Sequence, residues 1–148
     1  MEPETKEAYF KEVSREPYAR LMNIRLLQVD NGYAACEMEY TDEMDNIHGM
    51  AHGGAIFSLI DEAFEISSNS HGTVAVALNM NVTYVKPAKK NTILRAESRE
   101  TSRGNKTATY QITVRDDEGI VALCQALVYR KKEVLSFLPV TSSRDGRQ

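Results

Sequence analysis

Apolar positions change their period several times along this chain, and each change marks an element. Tyr9, Phe10 and Val13 make an apolar stripe in an otherwise charged run, which predicts a short amphipathic helix over residues 3–15. Pro17 ends that helix or bends the chain. Residues 23–30 and 33–41 are two apolar runs separated by Asp30-Asn31-Gly32, a strong turn signal, and so predict a β-hairpin. In its second arm Tyr33, Ala35, Glu37 and Glu39 alternate with Ala34, Cys36, Met38 and Tyr40. Only the first set carries charge, so one face is wet and the other buried. A loop follows, and then residues 55–70 form the longest helical candidate. Ile56, Phe57, Leu59, Ile60, Ala63, Phe64 and Ile66 cover most of its circumference, which predicts a buried helix. Residues 73–85, 92–101, 106–116 and 120–131 read as strands, with turns at Lys86-Pro87-Ala88, Arg103-Gly104-Asn105 and Asp117-Glu118-Gly119. Long strands with short connections predict an antiparallel meander.

A helix, two strands, a buried helix and four strands make an α+β fold, with an antiparallel sheet wrapped around one central helix. The chain's 148 residues are enough for one domain with a real core. We assign residues 1–133 to that domain and residues 134–148, ending TSSRDGRQ, to a poorly ordered tail. The content of 42% hydrophobic and 26% charged residues fits a soluble globular protein. A net charge of -3 argues against nucleic acid as a partner, because phosphate binding needs a basic surplus. Cys36 and Cys124 lie in alternating segments without metal-like spacing and read as buried small hydrophobes. The opening MEPETKEAYFKE has no apolar stretch, and no run approaches membrane-span length. No signal peptide and no membrane partner are expected, and the expected location is cytoplasmic.

Chemistry concentrates between Asn46 and Phe64. Gly53-Gly54 precede the buried helix, whose N-terminus offers free N–H groups and the positive end of the helix dipole. Glycines let another molecule approach that backbone closely, so the turn can hold a developing oxyanion; it can equally be only a tight turn. Asp61 sits among Leu59, Ile60, Ala63 and Phe64, where a carboxylate is either paired, useful, or exposed on a thin polar face with Glu62 and Glu65. Asn46, His48 and His52 supply polar side chains in the loop. The four-residue histidine spacing can suit a metal, but Met50 and the glycines argue against a helix that would align the pair, and no third ligand is apparent.

Asn46, Gly49, His52-Gly53-Gly54 and Leu59-Ile60-Asp61-Glu62-Ala63-Phe64 together resemble the signature of the PaaI-type hotdog thioesterases. Asn81-Val-Thr-Tyr-Val-Lys-Pro-Ala88 resembles the strand that follows in that family, and the match in order and spacing spans residues 23–132. The resemblance implies a hotdog fold and hydrolysis of an acyl-CoA thioester to free acid and CoA. By motif position Asp61 becomes nucleophile or general base and the Gly53 N–H the oxyanion donor. Asn46 would orient water or carboxylate, and His52 would hold the loop or assist at the carbonyl. The resemblance implies neither metal nor other cofactor. Some relatives carry Ser or Thr where this chain has Ala77, so positioning of water would fall to groups such as Asn46. A hotdog hydratase or dehydratase, and a non-catalytic acyl-CoA-binding protein, are the competing readings.

Gly53 and Asp61 are eight residues apart, about 12 Å along a helix axis. A reacting atom must sit about 3 Å from both groups, which one chain struggles to arrange. Two antiparallel copies of the helix solve this, so a homodimer is the expected minimal catalytic unit. The resemblance adds a dimer of dimers, a homotetramer. CoA carries phosphates, and Lys86, Lys89, Lys90, Arg103, Lys106 and residues 130–132 are basic groups at strand ends and turns. Arg103-Gly104-Asn105-Lys106 is the best local candidate, since a glycine turn also presents backbone N–H groups. Gly54 and Tyr84 are expected beside the substrate, with Met44, Met50 and Phe57 either shaping a pocket or packing the core. The acyl group, aromatic or aliphatic, is not legible in these residues.

Overall fold

The computed structural model describes residues 1–140. Its elements, in chain order, are α1 (Pro3–Val13), α2 (Pro17–Leu21), β1 (Ile24–Asp30), β2 (Tyr33–Glu39), α3 (Gly53–Asn69), β3 (Thr73–Tyr84), β4 (Ile93–Arg103), β5 (Thr107–Asp116) and β6 (Gly119–Val134). The six strands form one sheet in the order β1-β2-β4-β5-β6-β3, every neighbouring pair antiparallel. α3 packs across one face of it, most extensively on β2 and β4. The expected sheet around one central helix is therefore present.

Small side chains explain how closely α3 can approach. Cys36 on β2 pairs with Ala96 on β4, Ala34 with Ser98, and all four are fully buried. Ile56, Leu59, Ile60, Ala63 and Phe64 of α3 fill the space above the sheet, and Phe64 meets Tyr110 edge to face at 5.5 Å. Ser67 and Ser98, both fully buried between helix and sheet, satisfy each other: their hydroxyls bond at 2.7 Å. Both cysteines are buried free thiols.

The meander is not what forms. β1–β2 and β4–β5–β6 are consecutive neighbours, but β3 lies at the far edge beside β6, and β4 returns to pair with β2. α3 is the cause: it carries the chain across the sheet face and delivers β3 three strand spacings from β4, about 14 Å away. The connection, read from Lys86-Pro87-Ala88 as a turn, is the eight residues 85–92, which can reach about 26 Å extended and so recross that gap. Pro17 also does more than end α1. It occupies the first turn of α2, where its missing N–H costs nothing. Within α1, Tyr9 and Val13 face inward while Phe10 is exposed. Of the stretch assigned to the tail, Leu135, Phe137 and Leu138 pack against the core, Phe137 edge to face with Tyr9 at 5.2 Å. Residues 141–148 of that stretch lie outside the described residues.

The end of α3 is locked by a polar network. Tyr110 donates to Glu100 at 2.7 Å, and His71 Nε2 lies 2.7 Å from the same carboxylate. Arg103 donates to His71 Nδ1, also at 2.7 Å, which leaves the ring proton on Nε2 for Glu100. Burial alone would raise the Glu100 pKa, but the Tyr110 and His71 bonds and the positive charge of Arg103 outweigh it and hold it below the ordinary value. Glu100→Ala is expected to destabilise the fold by about 2–3 kcal/mol, because it orphans the buried Tyr110 hydroxyl and removes a charged acceptor. A depressed carboxylate stabilises fully above its unfolded pKa, about 4.3, and loses that contribution as pH falls through the folded pKa. Urea unfolding of wild type and variant should therefore differ most at neutral pH and converge in acid. Equal stabilities at neutral pH would show the network to be incidental.

Candidate functional site

Asn46 organises the loop that leads into α3. Its Oδ1 accepts from the His48 and Met50 N–H groups at 2.8 and 3.2 Å, and its own N–H donates to the Met50 carbonyl at 2.7 Å. Its acceptor is thus spent on the loop, and its NH2 is the group left to face a reactant. His52 caps α3, with Nδ1 accepting from the Gly54 N–H at 2.8 Å. Gly54 therefore has its N–H engaged. Gly53, the first residue of α3, does not: among the described residues no acceptor bonds its N–H. The unpaired donor lies where the helix dipole is most positive.

Tyr84, at the end of β3, donates its hydroxyl to the Gly53 carbonyl at 2.9 Å. A Cβ at residue 53 would lie 3.2 Å from the Tyr84 ring and hydroxyl, so any other residue there would press Tyr84 back by a few tenths of an ångström. Asn46, Met50, Gly53, Ile56, Tyr84 and Lys86 line one surface hollow of about 370 Å³. Five of the residues singled out in the sequence, Asn46, His52, Gly53, Gly54 and Tyr84, thus meet at the N-terminus of α3. Lys86 joins them at the rim, but its ammonium is held by the fully buried Asp116 carboxylate at 2.9 and 3.0 Å.

Asp61 lies outside this hollow. It is exposed on α3 and forms no hydrogen bond or ion pair among the described residues. Partial desolvation, and then the negative charge of Glu16, raises its pKa. Nor does the β4–β5 turn join the hollow. Arg103 is held by His71 and Glu100, and the Gly104 N–H is spent on the Thr107 carbonyl at 2.8 Å. Among the described residues Lys106 has no ion-pair partner, so it is the free cation of that turn. Lys90 pairs with Asp45, and Lys89 with Asp117 and Glu118. His48 and His52 join no cluster of metal-ligating groups among the described residues.

Sequence reading missed one grouping. Glu16, between α1 and α2, meets Glu62 and Glu65 of α3, one carboxylate oxygen of each within 4.8 Å of the others. Glu62 is buried rather than on a polar face, and its pKa is pushed up to about 9 by burial and then by the neighbouring carboxylates of Glu16, Glu65 and Asp61. Glu65 is raised to about 7, chiefly by desolvation and then by Glu16 and Asp61. The contact depends on how α1 and α2 fold back over α3, and nothing local to Glu16 announces it.

Comparison with known proteins sets this geometry among relatives. The family model of the thioesterase superfamily matches residues 48–123, from the loop before α3 to the middle of β6. A relative in Archaeoglobus fulgidus is 43% identical over 114 residues, 76% of this chain and 74% of that one. The acyl-coenzyme A thioesterase PaaI of Escherichia coli is 33% identical over 113 residues, 76% of this chain and 81% of its own. The solved structure of the E. coli PaaI protein from the phenylacetic acid degradation operon superposes with a TM-score of 0.82 at 28% identity, covering 86% of this chain and 94% of that one. A Streptococcus mutans protein solved with acetyl CoA bound has a TM-score of 0.72 at 27% identity, covering 76% of this chain and 92% of that chain.

Proposed function

The chain belongs to the thioesterase superfamily, and from that premise we infer that it is a hotdog-fold acyl-CoA thioester hydrolase whose site is completed across a twofold dimer interface. The observation that carries the site assignment is the unpaired Gly53 N–H at the start of α3, beside an open hollow. The thioester carbonyl oxygen accepts from that N–H, which stabilises the negative charge of the tetrahedral intermediate where it develops. The Asn46 NH2 orients the attacking water or the attacking carboxylate. Asp61 of the opposing chain either takes the proton of that water or attacks the carbonyl carbon itself. If water attacks, collapse of the intermediate expels CoA, which takes the proton held by Asp61, and leaves the acid; if Asp61 attacks, collapse expels CoA thiolate and leaves a mixed anhydride on Asp61, which water then hydrolyses to the acid. His52 holds the loop as the helix cap. With Nδ1 spent as acceptor for the Gly54 N–H, the ring proton lies on Nε2, which can donate but not take a proton, and that disfavours a hydratase with His52 as base.

Two features support the dimer. Asp61 stands about 12 Å along α3 from Gly53, too far to share a reacting atom within one chain. Among the described residues β3 has one strand partner, β6, and exposes Val76, Leu78 and Tyr84 with neighbouring Val85, an apolar edge that a second copy can cover. Pairing of dimers into a homotetramer extends this reading. No described helix is long and apolar enough to cross a membrane, and a cytoplasmic location is part of the proposal. Lys86 and Lys106 are the side chains proposed for the CoA phosphates, with Arg103 and Gly104 shaping the turn that presents Lys106. Because PaaI is named from phenylacetic acid degradation and the S. mutans structure holds acetyl CoA, both aromatic and short aliphatic acyl groups belong in the assay.

The test is thiol release from a panel of aromatic and aliphatic acyl-CoAs. Hydrolysis of at least one class is expected, and the best substrate names the acyl group. Calorimetric binding of acyl-CoA with no thiol release would instead make the chain an acyl-CoA-binding protein, and hydration of an enoyl-CoA would make it a hydratase.

A further inference from the structure

Glu16, Glu62 and Glu65 form a three-carboxylate cluster apart from the hollow at Gly53. Glu62 and Glu65 are three residues apart on α3 and so share a helix face. Glu16 reaches them from the junction of α1 and α2. Among the described residues none of the three carboxylates is in a salt bridge, although Arg15 lines the same neighbourhood. Glu62 is only 3% exposed, and its Oε1 has no hydrogen-bond partner. A buried carboxylate with an unpartnered oxygen, crowded by two more carboxylates, is a costly arrangement unless something positive sits among them.

We propose that Glu16, Glu62 and Glu65 bind a hard divalent cation, calcium in preference to magnesium. Three carboxylates brought together from two segments suit calcium, which accepts six to eight oxygens in flexible geometry, better than magnesium, which demands near-ideal octahedral geometry and gives up its waters reluctantly. A surface hollow of about 350 Å³, lined by Glu16, Glu65, Arg15, Tyr9 and Phe137, gives the ion a route and room for the waters that complete its shell. The ion satisfies the orphaned Glu62 oxygen and lets the three crowded carboxylates ionise together. It also ties the α1–α2 junction to the helix that carries Asp61, and so couples the N-terminal segment to the catalytic helix.

The full chain, stripped with chelator and dialysed, is titrated calorimetrically with Ca²⁺, Mn²⁺ and Mg²⁺. One Ca²⁺ per chain is expected, with Kd of about 0.1–1 mM and weaker Mg²⁺ binding. Glu62→Gln should weaken Ca²⁺ at least about tenfold, the loss of a charged ligand. Because substitution of a buried residue can disturb folding, Glu16→Gln and Glu65→Gln are measured beside it and should weaken binding likewise. Glu43→Gln, at an exposed position, should bind as wild type does. Added Ca²⁺ should raise the thermal midpoint of wild type but not of Glu62→Gln. Absence of saturable binding, or equal binding by wild type and the three variants, overturns the proposal. So does a chelated Glu62→Gln protein that melts higher than wild type while wild type binds no ion, because a shared proton then neutralises the cluster.

Discussion

Asp61→Asn is expected to lower kcat for the best acyl-CoA at least about 100-fold, with KM changed little and the fold intact. The substitution keeps the shape of the side chain and removes its ability to attack carbon or accept a proton. Binding of acyl-CoA should survive, because the Gly53 N–H and the hollow beside it are untouched. Stability should hold within about 0.5 kcal/mol, since Asp61 is exposed and unpaired among the described residues. Removing its charge also relieves repulsion from Glu16. Melting curves therefore separate lost catalysis from lost structure. A variant that keeps activity within a few-fold would remove Asp61 from the mechanism. The same residue decides the chemistry: in a single turnover in H2¹⁸O, label in the Asp61 carboxylate marks a nucleophile whose anhydride water opens at the aspartyl carbon, whereas a general base leaves all of the label in the product acid.

Local signals were legible where the chain decides its structure locally. Asp30-Asn31-Gly32 closes β1 on β2 as expected, with Gly32 at φ +69°, and a Cβ there would lie 2.9 Å from that of Glu100. The apolar circumference of residues 55–70 correctly marked a helix covered by the sheet, and its structural start at Gly53 falls on the glycine pair that was singled out. Strand order was not legible, because turn chemistry says nothing about which edge a crossover helix reaches. Leu135 and Phe137 lie just beyond the last alternating strand, and only the packing of Tyr9 reveals their role. The half-site followed the same division. Asn46, His52 and Gly53 are neighbours in sequence and in space, so their grouping could be read directly. The Tyr84 bond to Gly53 spans 31 residues and needed the fold. Glu62 was misjudged because a charged residue beside Asp61 reads as part of a polar face, and only tertiary packing shows it buried at 3% exposure.

Mixed dimers should recover activity that neither parent possesses. Asn46→Asp is the suitable second variant, since its carboxylate oxygen still accepts from the His48 and Met50 N–H groups and holds the loop, while the NH2 that faces the reactant is lost. In a dimer of one Asp61→Asn chain and one Asn46→Asp chain, the two composite sites are unequal. One combines both defects, and the other combines the intact Asn46 of the first chain with the intact Asp61 of the second. A heterodimer purified through two different tags should therefore show about half the wild-type rate, and an unselected equal mixture about a quarter. A site built within one chain predicts no recovery at all, because each chain then carries a broken site. Recovery near half would place Gly53 and Asn46 opposite the partner's catalytic carboxylate. Its absence, in heterodimers that still bind acyl-CoA, would return Asp61 and Asn46 to the same half of the interface.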